Sequence, residues 1–174
     1  MQAIETLFNG DLFRSRLEAK WAFFFKAAGI VYEYEPEGFR SKAGEMYLPD
    51  FYLPNTTLRG DSSNKGVYIE IKPNCYELTF VKSSDWFDKP LILFKGLPDE
   101  HSNIYGNFGK TDSGYECWVD RWDNYMGIWI CDNCKCSKIE FMGGAYNNCQ
   151  SCKVGKNDHF LLTTTSICAR IERF

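Results

Sequence analysis

The chain has 174 residues, of which 44% are hydrophobic and 17% aromatic, a composition that predicts one sizeable packed core and excludes a disordered protein. The net charge of −3 excludes a general polyanion-binding surface, so binding to nucleic acid requires clustered cations or bound metal ions. The longest apolar run, WAFFF (21–25), is far shorter than a bilayer span, and the first residues lack a secretory signal. We therefore expect a cytoplasmic protein.

The first predicted element is a helix over residues 12–28. Apolar residues recur there at helical spacing and form one stripe: Phe13, Leu17, Trp21, Phe24 and Ala28. Asp11 or Ser15 can cap the start of this helix, and Gly29 follows its end, where glycine is favoured. The next segment, IVYEYEP (30–36), alternates between apolar and polar residues and predicts a strand.

Three further strands are predicted downstream. They are YLPDFYLP (47–54), VYIEIKP (67–73) and the apolar segment within 89–98, with a polar linker at 55–66. The segment YELTFVKSSDWF (76–87) is weakly helical or irregular. This order of elements indicates an α/β fold with a central mixed sheet.

Two of these predicted strands contain charged residues within apolar runs. Asp50 lies in the first, and Glu70 and Lys72 lie in the second, where Ile69 and Ile71 point to the opposite face. If the two strands pair, Asp50 lies beside Glu70, and two close carboxylates raise one another's pKa. A divalent cation relieves this repulsion because carboxylate oxygens are its preferred ligands. The pattern therefore predicts a site for a hard cation, with the Lys72 ammonium beside it.

These residues carry a resemblance to a known family. The PD dipeptide at 49–50, followed after nineteen residues by EIK at 70–72, resembles the motif of the PD-(D/E)xK nucleases. The helix segment FRSRLEAKWAFFF supplies Glu18, which resembles the acidic residue that many members add from a preceding helix. ARIERF (169–174) resembles a tail found in phage and bacterial members that often carry a cysteine-pair insert. The resemblance covers residues 8–98 well and the rest loosely.

The resemblance implies a restriction-endonuclease-like αβββαβ core and a metal-dependent nuclease. In such a site Asp50, Glu70, the main-chain carbonyl of Ile71 and Glu18 hold Mg²⁺ or Mn²⁺, and Lys72 positions the attacking water or offsets charge on the phosphate. The implied substrate is DNA, with RNA not excluded. The implied enzyme is an endonuclease encoded by a phage or mobile element, acting in the host cytoplasm.

Each candidate residue also has a structural interpretation. Glu18 fits a capping box in which its carboxylate reaches back to the main-chain amide of Ser15. Asp50 follows a proline and fits a turn. Glu70 and Lys72 fit an exposed ion pair on an edge strand.

Further candidate contacts to nucleic acid are less specific. Arg14 and Arg16 precede Glu18 by about one turn and can contact a phosphate backbone, or can be solvated surface arginines. Aromatic residues are frequent in 101–130 and can stack on unpaired bases, although interior packing is the commoner role.

Four of the eight cysteines form two CxxC pairs separated by fourteen residues: Cys131, Cys134, Cys149 and Cys152. This spacing is typical of a zinc ribbon with four thiolate ligands. Cys136 is a less favoured alternative ligand. Four thiolates leave no open position for substrate, so we expect the Zn²⁺ ion to be structural. Whether the module binds nucleic acid or braces the core stays open.

The sequence therefore predicts four parts: a nuclease core at 1–100, an aromatic-rich connector at 101–130, a zinc ribbon at 131–156 and a helix packing back on the core at 157–174. An alternative function is a non-cleaving module that binds nucleic acid or protein on a nuclease scaffold. Substrate shape, pathway and oligomeric state stay undetermined.

Overall fold

The computed structural model describes residues 3–40, 44–58, 65–73, 89–98, 104–111, 114–118, 126–131, 137–141 and 159–161. Within these ranges the elements, in chain order, are β1 (Thr6–Phe8), β2 (Asp11–Phe13), α1 (Arg16–Ala27), β3 (Glu33–Tyr34), β4 (Phe39–Arg40), β5 (Met46–Tyr47), β6 (Phe51–Leu58), β7 (Lys65–Lys72), β8 (Leu91–Lys95), β9 (Ile104–Thr111), β10 (Gly114–Trp118), β11 (Met126–Cys131), β12 (Ser137–Phe141) and β13 (His159–Leu161). In this part of the chain, no helix is both long and apolar enough to span a membrane.

A nine-stranded mixed sheet forms the centre of the fold. Its strands follow the order β10-β9-β8-β7-β6-β12-β11-β13, and β3 also pairs with β6. The pairs β7–β8 and β6–β12 are parallel, and the other pairs in this sheet are antiparallel. The predicted α/β class with a mixed central sheet is thus confirmed. The finer restriction-endonuclease-like core stays a prediction, because the second helix of that core falls in 74–88, outside the described residues.

Helix α1 packs its apolar stripe against one face of the sheet. The Trp21 ring lies 4.6 Å from the Phe94 ring and the Phe25 ring 5.4 Å from the Phe51 ring, measured between centroids. The hydroxyl of Ser15 accepts the main-chain N–H of Glu18 and caps the helix, and Gly29 follows with a positive φ of 71°. This confirms the predicted cap at Ser15 and the predicted end at Gly29.

The start of the predicted helix is wrong by about one turn, because residues 11–13 form strand β2. They pair antiparallel with β1 in a hairpin whose turn is Asn9-Gly10, with φ values of 55° and 99°. An Asn-Gly pair between two short apolar runs is the usual sequence signal for such a hairpin, because both turn positions need a positive φ. Phe13 belongs to the core from this strand and is 0% exposed.

Strands β6 and β7 carry the predicted site and pair antiparallel, with Phe51 opposite Ile69 and Leu53 opposite Val67. The predicted strand at 47–54 is divided, because Tyr47 belongs to β5 and β6 begins at Phe51. β6 also extends to Leu58, into the segment predicted as a linker. The pairing shifts register between Leu53 and Thr57, so β6 tolerates the polar residues of that segment through a bulge.

The second half of the chain adds strands to the same sheet. The sequence also predicts short strands in YECWVD (115–120) and GIWI (127–130), and the structure confirms them as β10 and β11. Strand β9 was not predicted. β9 pairs with β8, and β12 pairs with β6. Ile128 and Ile139 join the same apolar core as α1.

The predicted C-terminal helix is contradicted at its beginning. His159–Leu161 form β13, which pairs with β11. Three threonines follow after Leu162, and threonine has a low helix propensity because its β-carbon is branched. The rest of 157–174 lies outside the described residues.

Candidate active site

Asp50 lies immediately before β6 and is 4% exposed. One carboxylate oxygen, Oδ2, accepts the main-chain N–H of Ile71 at 2.7 Å. The main-chain carbonyl of Asp50 accepts the N–H of Glu35 at 2.9 Å. The predicted proximity of Asp50 to the EIK segment is therefore present in the structure. It follows from the antiparallel register, which sets Phe51 opposite Ile69 and so carries the preceding residue toward the end of β7.

Glu70 and Lys72 lie on the central strand β7, on the sheet face opposite to α1. Glu70 is 5% exposed, and its Oε1 lies 2.6 Å from the ammonium nitrogen of Lys72. Its Oε2 accepts the hydroxyl of Tyr47 at 2.5 Å. Because β7 lies between β6 and β8, the alternative of an exposed pair on an edge strand is wrong.

Glu18 lies in the first turn of α1 and is 9% exposed. Its Oε1 accepts the hydroxyl of Ser15 at 2.7 Å, and its Oε2 accepts the hydroxyl of Tyr34 at 2.7 Å. The capping interpretation is therefore half right. Ser15 caps the helix, but the contacts shown for the Glu18 carboxylate are to two hydroxyls rather than to the Ser15 amide.

Arg14 connects these carboxylates to the surface. Its Nη2 lies 2.9 Å from Oδ1 of Asp50, and its Nε lies 2.6 Å from Oε1 of Glu35. Its main-chain N–H donates to the hydroxyl of Tyr34 at 3.0 Å, and the same hydroxyl donates to Glu18. The Arg14 side chain is 53% exposed, whereas that of Asp50 is 6% exposed.

The alternation of polar and apolar residues in 30–36 predicts that Glu35 lies on the solvent side, outside the candidate site. The structure gives it a positive φ of 46°, which is a strained conformation for a residue with a side chain. That conformation allows its N–H to reach Asp50 while its carboxylate reaches Arg14. A simple alternation of strand residues cannot reveal such a position. Tyr34 and Tyr47 were also missed, because an isolated tyrosine gives no sequence signal for a hydrogen bond to a distant carboxylate.

The groups around Asp50 shift the pKa of its carboxyl. Burial and the carboxylate of Glu70 raise the pKa of Asp50 to about 8, against the opposing effect of the Ile71 N–H. Glu18 raises this pKa further, and Lys72 lowers it. Asp50 is thus close enough to Glu18, Glu70 and Lys72 to interact electrostatically with each of them.

The tyrosines that donate to the carboxylates are held in their neutral form. Burial and the neighbouring Glu70 carboxylate raise the pKa of Tyr47. Burial and the Glu18 carboxylate raise the pKa of Tyr34 in the same way. Both hydroxyls therefore stay protonated and remain donors across the range in which carboxylates titrate.

The donor set has the chemistry that Mg²⁺ or Mn²⁺ requires, because three buried carboxylates supply hard oxygen ligands. Their present arrangement is nevertheless closed: in the described part of the chain, no three His, Cys, Asp or Glu side chains are grouped as a metal site. Each carboxylate oxygen of Glu18, Asp50 and Glu70 accepts a protein donor or lies beside a cation. Ile71 takes part through its N–H, and its carbonyl as a ligand stays a prediction.

The predicted zinc site falls mostly outside the described residues. Cys134, Cys149 and Cys152 lie there, and Cys131 is described as the last residue of β11. The segment between the two cysteine pairs, KCSKIEFMGGAYNN (135–148), predicts a short strand before a Gly-Gly turn, and β12 is that strand. The zinc assignment stays a prediction.

Comparison with known proteins adds no family to this description. No protein-family model matches the chain, and neither curated proteins nor solved structures give a significant match. The PD-(D/E)xK resemblance therefore rests on the residues themselves.

Proposed function

We propose that the protein is a Mg²⁺- or Mn²⁺-dependent nuclease that hydrolyses phosphodiester bonds of DNA, most simply as an endonuclease. The observation that supports it best is the hydrogen bond from the Ile71 N–H to the Asp50 carboxylate. This bond fixes an aspartate beside the Glu70-Ile71-Lys72 segment, in the arrangement that the motif requires. Buried carboxylates are costly unless they serve a function, and the raised pKa of Asp50 beside Glu70 favours a catalytic site over a structural one.

In this proposal Asp50 and Glu70 hold the cation, and Glu18 holds it directly or through water. A bound divalent cation polarises the phosphate and lowers the pKa of a water molecule. Tyr47 orients Glu70 by donating to Oε2, and the hydroxyls of Ser15 and Tyr34 orient Glu18. These donors restrict the rotamers of the Glu18 and Glu70 carboxylates.

Lys72 is the proposed cationic catalytic residue. Its ammonium lies 2.6 Å from Glu70 and its side chain is 29% exposed, so it is paired inside the site and still reaches solvent. From this position it stabilises negative charge that develops on the phosphate, or it positions the attacking water. An ammonium suits this task because it is a compact charge with rotatable donors.

The zinc ribbon enters the proposal as a structural element. In this proposal four thiolates from Cys131, Cys134, Cys149 and Cys152 bind Zn²⁺ on either side of β12 in the sequence. Because β12 pairs with β6, the strand that follows Asp50, zinc in this position braces the site from the neighbouring strand.

A second candidate function is a binding module that holds nucleic acid or protein without cleaving it. The closed arrangement favours it, since protein groups already neutralise the Asp50 and Glu70 carboxylates. The two candidates differ in one respect that is simple to measure. A nuclease loses its activity when Asp50 is replaced, whereas a binding module has no activity to lose.

The test is cleavage of plasmid, linear, single-stranded and branched DNA, and of RNA, with Mg²⁺, Mn²⁺ or EDTA. We expect cleavage of at least one DNA substrate with Mn²⁺ and none with EDTA. Lys26→Gln is the matched control, since Lys26 lies at the other end of α1, about 12 Å along the helix from Glu18. Cleavage by Asp50→Asn at the wild-type rate would contradict the proposed site.

A further inference from the structure

The strongest unexplained feature of the site is Arg14, which pairs with a carboxylate that the proposed function assigns to the cation. Asp50 is held from the interior by the Ile71 N–H on Oδ2 and is met on Oδ1 by the Arg14 guanidinium. The Asp50 side chain is 6% exposed and that of Arg14 is 53% exposed. Arg14 therefore lies between a ligand oxygen of Asp50 and the solvent.

The position of Arg14 is set by the surrounding chain rather than by chance. Phe13, directly before it, is fully buried, and Ser15, directly after it, is the helix cap. The Arg14 N–H donates to Tyr34, and the guanidinium is shared with Glu35, whose backbone is strained. Conformational strain of about 1–3 kcal/mol persists where surrounding contacts enforce it, and it is concentrated at functional sites.

The charges around the site indicate a role for the ion pair between Arg14 and Asp50. Glu18, Asp50 and Glu70 are three buried carboxylates. Among the described residues, Arg14 pairs with Asp50 and also with Glu35, and Lys72 pairs with Glu70. A divalent cation bound by Asp50 would take over the charge neutralisation that Arg14 supplies there, and the guanidinium would still be paired with Glu35. Lys72 lies on the central strand and its partner Glu70 is also held by Tyr47, whereas Arg14 extends from the chain surface.

On the basis of the proposed function, we infer that Arg14 is a displaceable counter-ion. It contacts Oδ1 of Asp50 in the metal-free protein, leaves this oxygen when a divalent cation binds, and then contacts a phosphate of the nucleic acid beside the cleavage point. A guanidinium suits both positions because it presents planar pairs of donors to carboxylate and to phosphate alike. The closed arrangement of the carboxylates is then the resting state of the site.

Metal affinity gives the first test, and it needs no cleavage. Metal-free protein is titrated with MnCl₂ by calorimetry. For Arg14→Gln we expect about tenfold tighter Mn²⁺ binding than for wild type, because the competing charge is removed from a partly exposed pair. Glutamine is chosen because its amide still donates to Asp50 and so protects the fold. Lys26→Gln, which removes the same charge at the far end of α1, is expected to bind Mn²⁺ within about twofold of wild type.

The salt dependence of DNA binding gives the second test. Binding is measured with Mn²⁺ in the Lys72→Ala background, in which we expect cleavage to be about 10²–10³-fold slower and therefore negligible during the measurement. Adding Arg14→Gln lowers the slope of log K against log salt by about 1, because one phosphate contact is lost. Adding Lys26→Gln leaves the slope unchanged.

The outcomes separate this inference from the proposed function. Absence of Mn²⁺ binding and of cleavage in the wild type contradicts both. Cleavage by the wild type, combined with unchanged Mn²⁺ affinity and an unchanged salt slope in Arg14→Gln, contradicts the role of Arg14 alone.

If Arg14→Gln does not fold, Arg14→Lys provides the test. We expect this variant to keep the salt slope and to bind Mn²⁺ about threefold tighter than wild type, since an ammonium cannot hold Asp50 and Glu35 together. Unchanged affinity in Arg14→Lys overturns the inference.

Discussion

The carboxylate of Asp50 and the main-chain N–H of Ile71 are 21 positions apart in sequence and 2.7 Å apart in the structure. This bond fastens the residue before β6 to the end of β7. It places Asp50 beside Glu70, and the two carboxylates then share a buried environment. The predictions below depend on that proximity.

The pH dependence of stability follows from Asp50. Its pKa in the folded protein, about 8, lies above the ordinary value of 3.8, so the folded state binds more protons than the unfolded state between these values. The free energy of unfolding of the metal-free protein therefore falls as pH rises from about 4 to about 8, by up to ~1.4 kcal/mol per pH unit. Chemical denaturation in EDTA at several pH values measures this.

The matched variants for this dependence are Asp50→Asn and Glu5→Gln. Asparagine carries no charge, so we expect Asp50→Asn to be more stable than wild type at pH 8 and to lose most of the dependence. Glu5 is an exposed carboxylate, and its replacement is expected to leave the dependence intact. A wild-type stability that increases between pH 5 and pH 8 in EDTA would contradict the raised pKa of Asp50.

Lys72→Ala tests the proposed catalytic cation. We expect cleavage with Mn²⁺ to fall by about 10²–10³-fold, because charge developing on the phosphate loses its stabilising partner. The folded state is expected to persist, which circular dichroism checks. Lys95→Ala, on the neighbouring strand β8, is the comparison, since Lys95 pairs in register with Lys72. Equal loss of activity in Lys72→Ala and Lys95→Ala would contradict a specific catalytic role for Lys72.

Glu18→Gln and Ser15→Ala separate the two roles of the first turn of α1. Ser15→Ala removes the helix cap, and we expect the free energy of unfolding to fall by about 1 kcal/mol. Glu18→Gln keeps the cap, and we expect weaker Mn²⁺ binding with little change in stability. The measurements are denaturant unfolding and Mn²⁺ titration. If Glu18→Gln leaves Mn²⁺ affinity unchanged, Glu18 is a structural residue.

Gly66 tests the packing of the two central strands. Its φ is 99°, and a Cβ at this position meets the ring of Tyr52, with Cζ at 2.8 Å. We expect Gly66→Ala to lower the free energy of unfolding by about 2–4 kcal/mol, through both strain and overpacking. Gly29→Ala is the control, since its φ is 71° but nothing lies within 4 Å, so about 1 kcal/mol is expected. Equal losses in the two variants would contradict the close approach of Tyr52.

The zinc prediction has its own measurement. Protein purified without chelators is expected to contain one Zn²⁺ per chain by total metal analysis, and replacement of Cys131 by serine is expected to lower that content. Cys75→Ser, outside the two CxxC pairs, is expected to retain it. Wild-type protein that contains no zinc would contradict the assignment of the two CxxC pairs as a Zn²⁺ site.

Several features were readable from the order of residues alone. The apolar stripe of α1, its cap at Ser15 and its end at Gly29 are local, because a helix is set by neighbours three and four positions away. The alternation in β7 indicated that Glu70 and Lys72 share a face, and the apolar run at Leu91–Lys95 indicated an interior strand. The hairpin at Asn9-Gly10 was also signalled locally and was overlooked.

Other features depend on contacts between distant segments. The start of β6 after Asp50, the placement of β12 beside β6 and the strand at His159–Leu161 are pairings across long stretches of chain. Glu35 reaches the site through a strained backbone, which no pattern of polarity encodes. The sequence therefore supplied the charged residues of the site, and long-range strand pairing set their distances, their burial and the arginine that covers them. The physical reason is that local propensity depends on adjacent residues, whereas burial and ionisation depend on every group that the fold brings close.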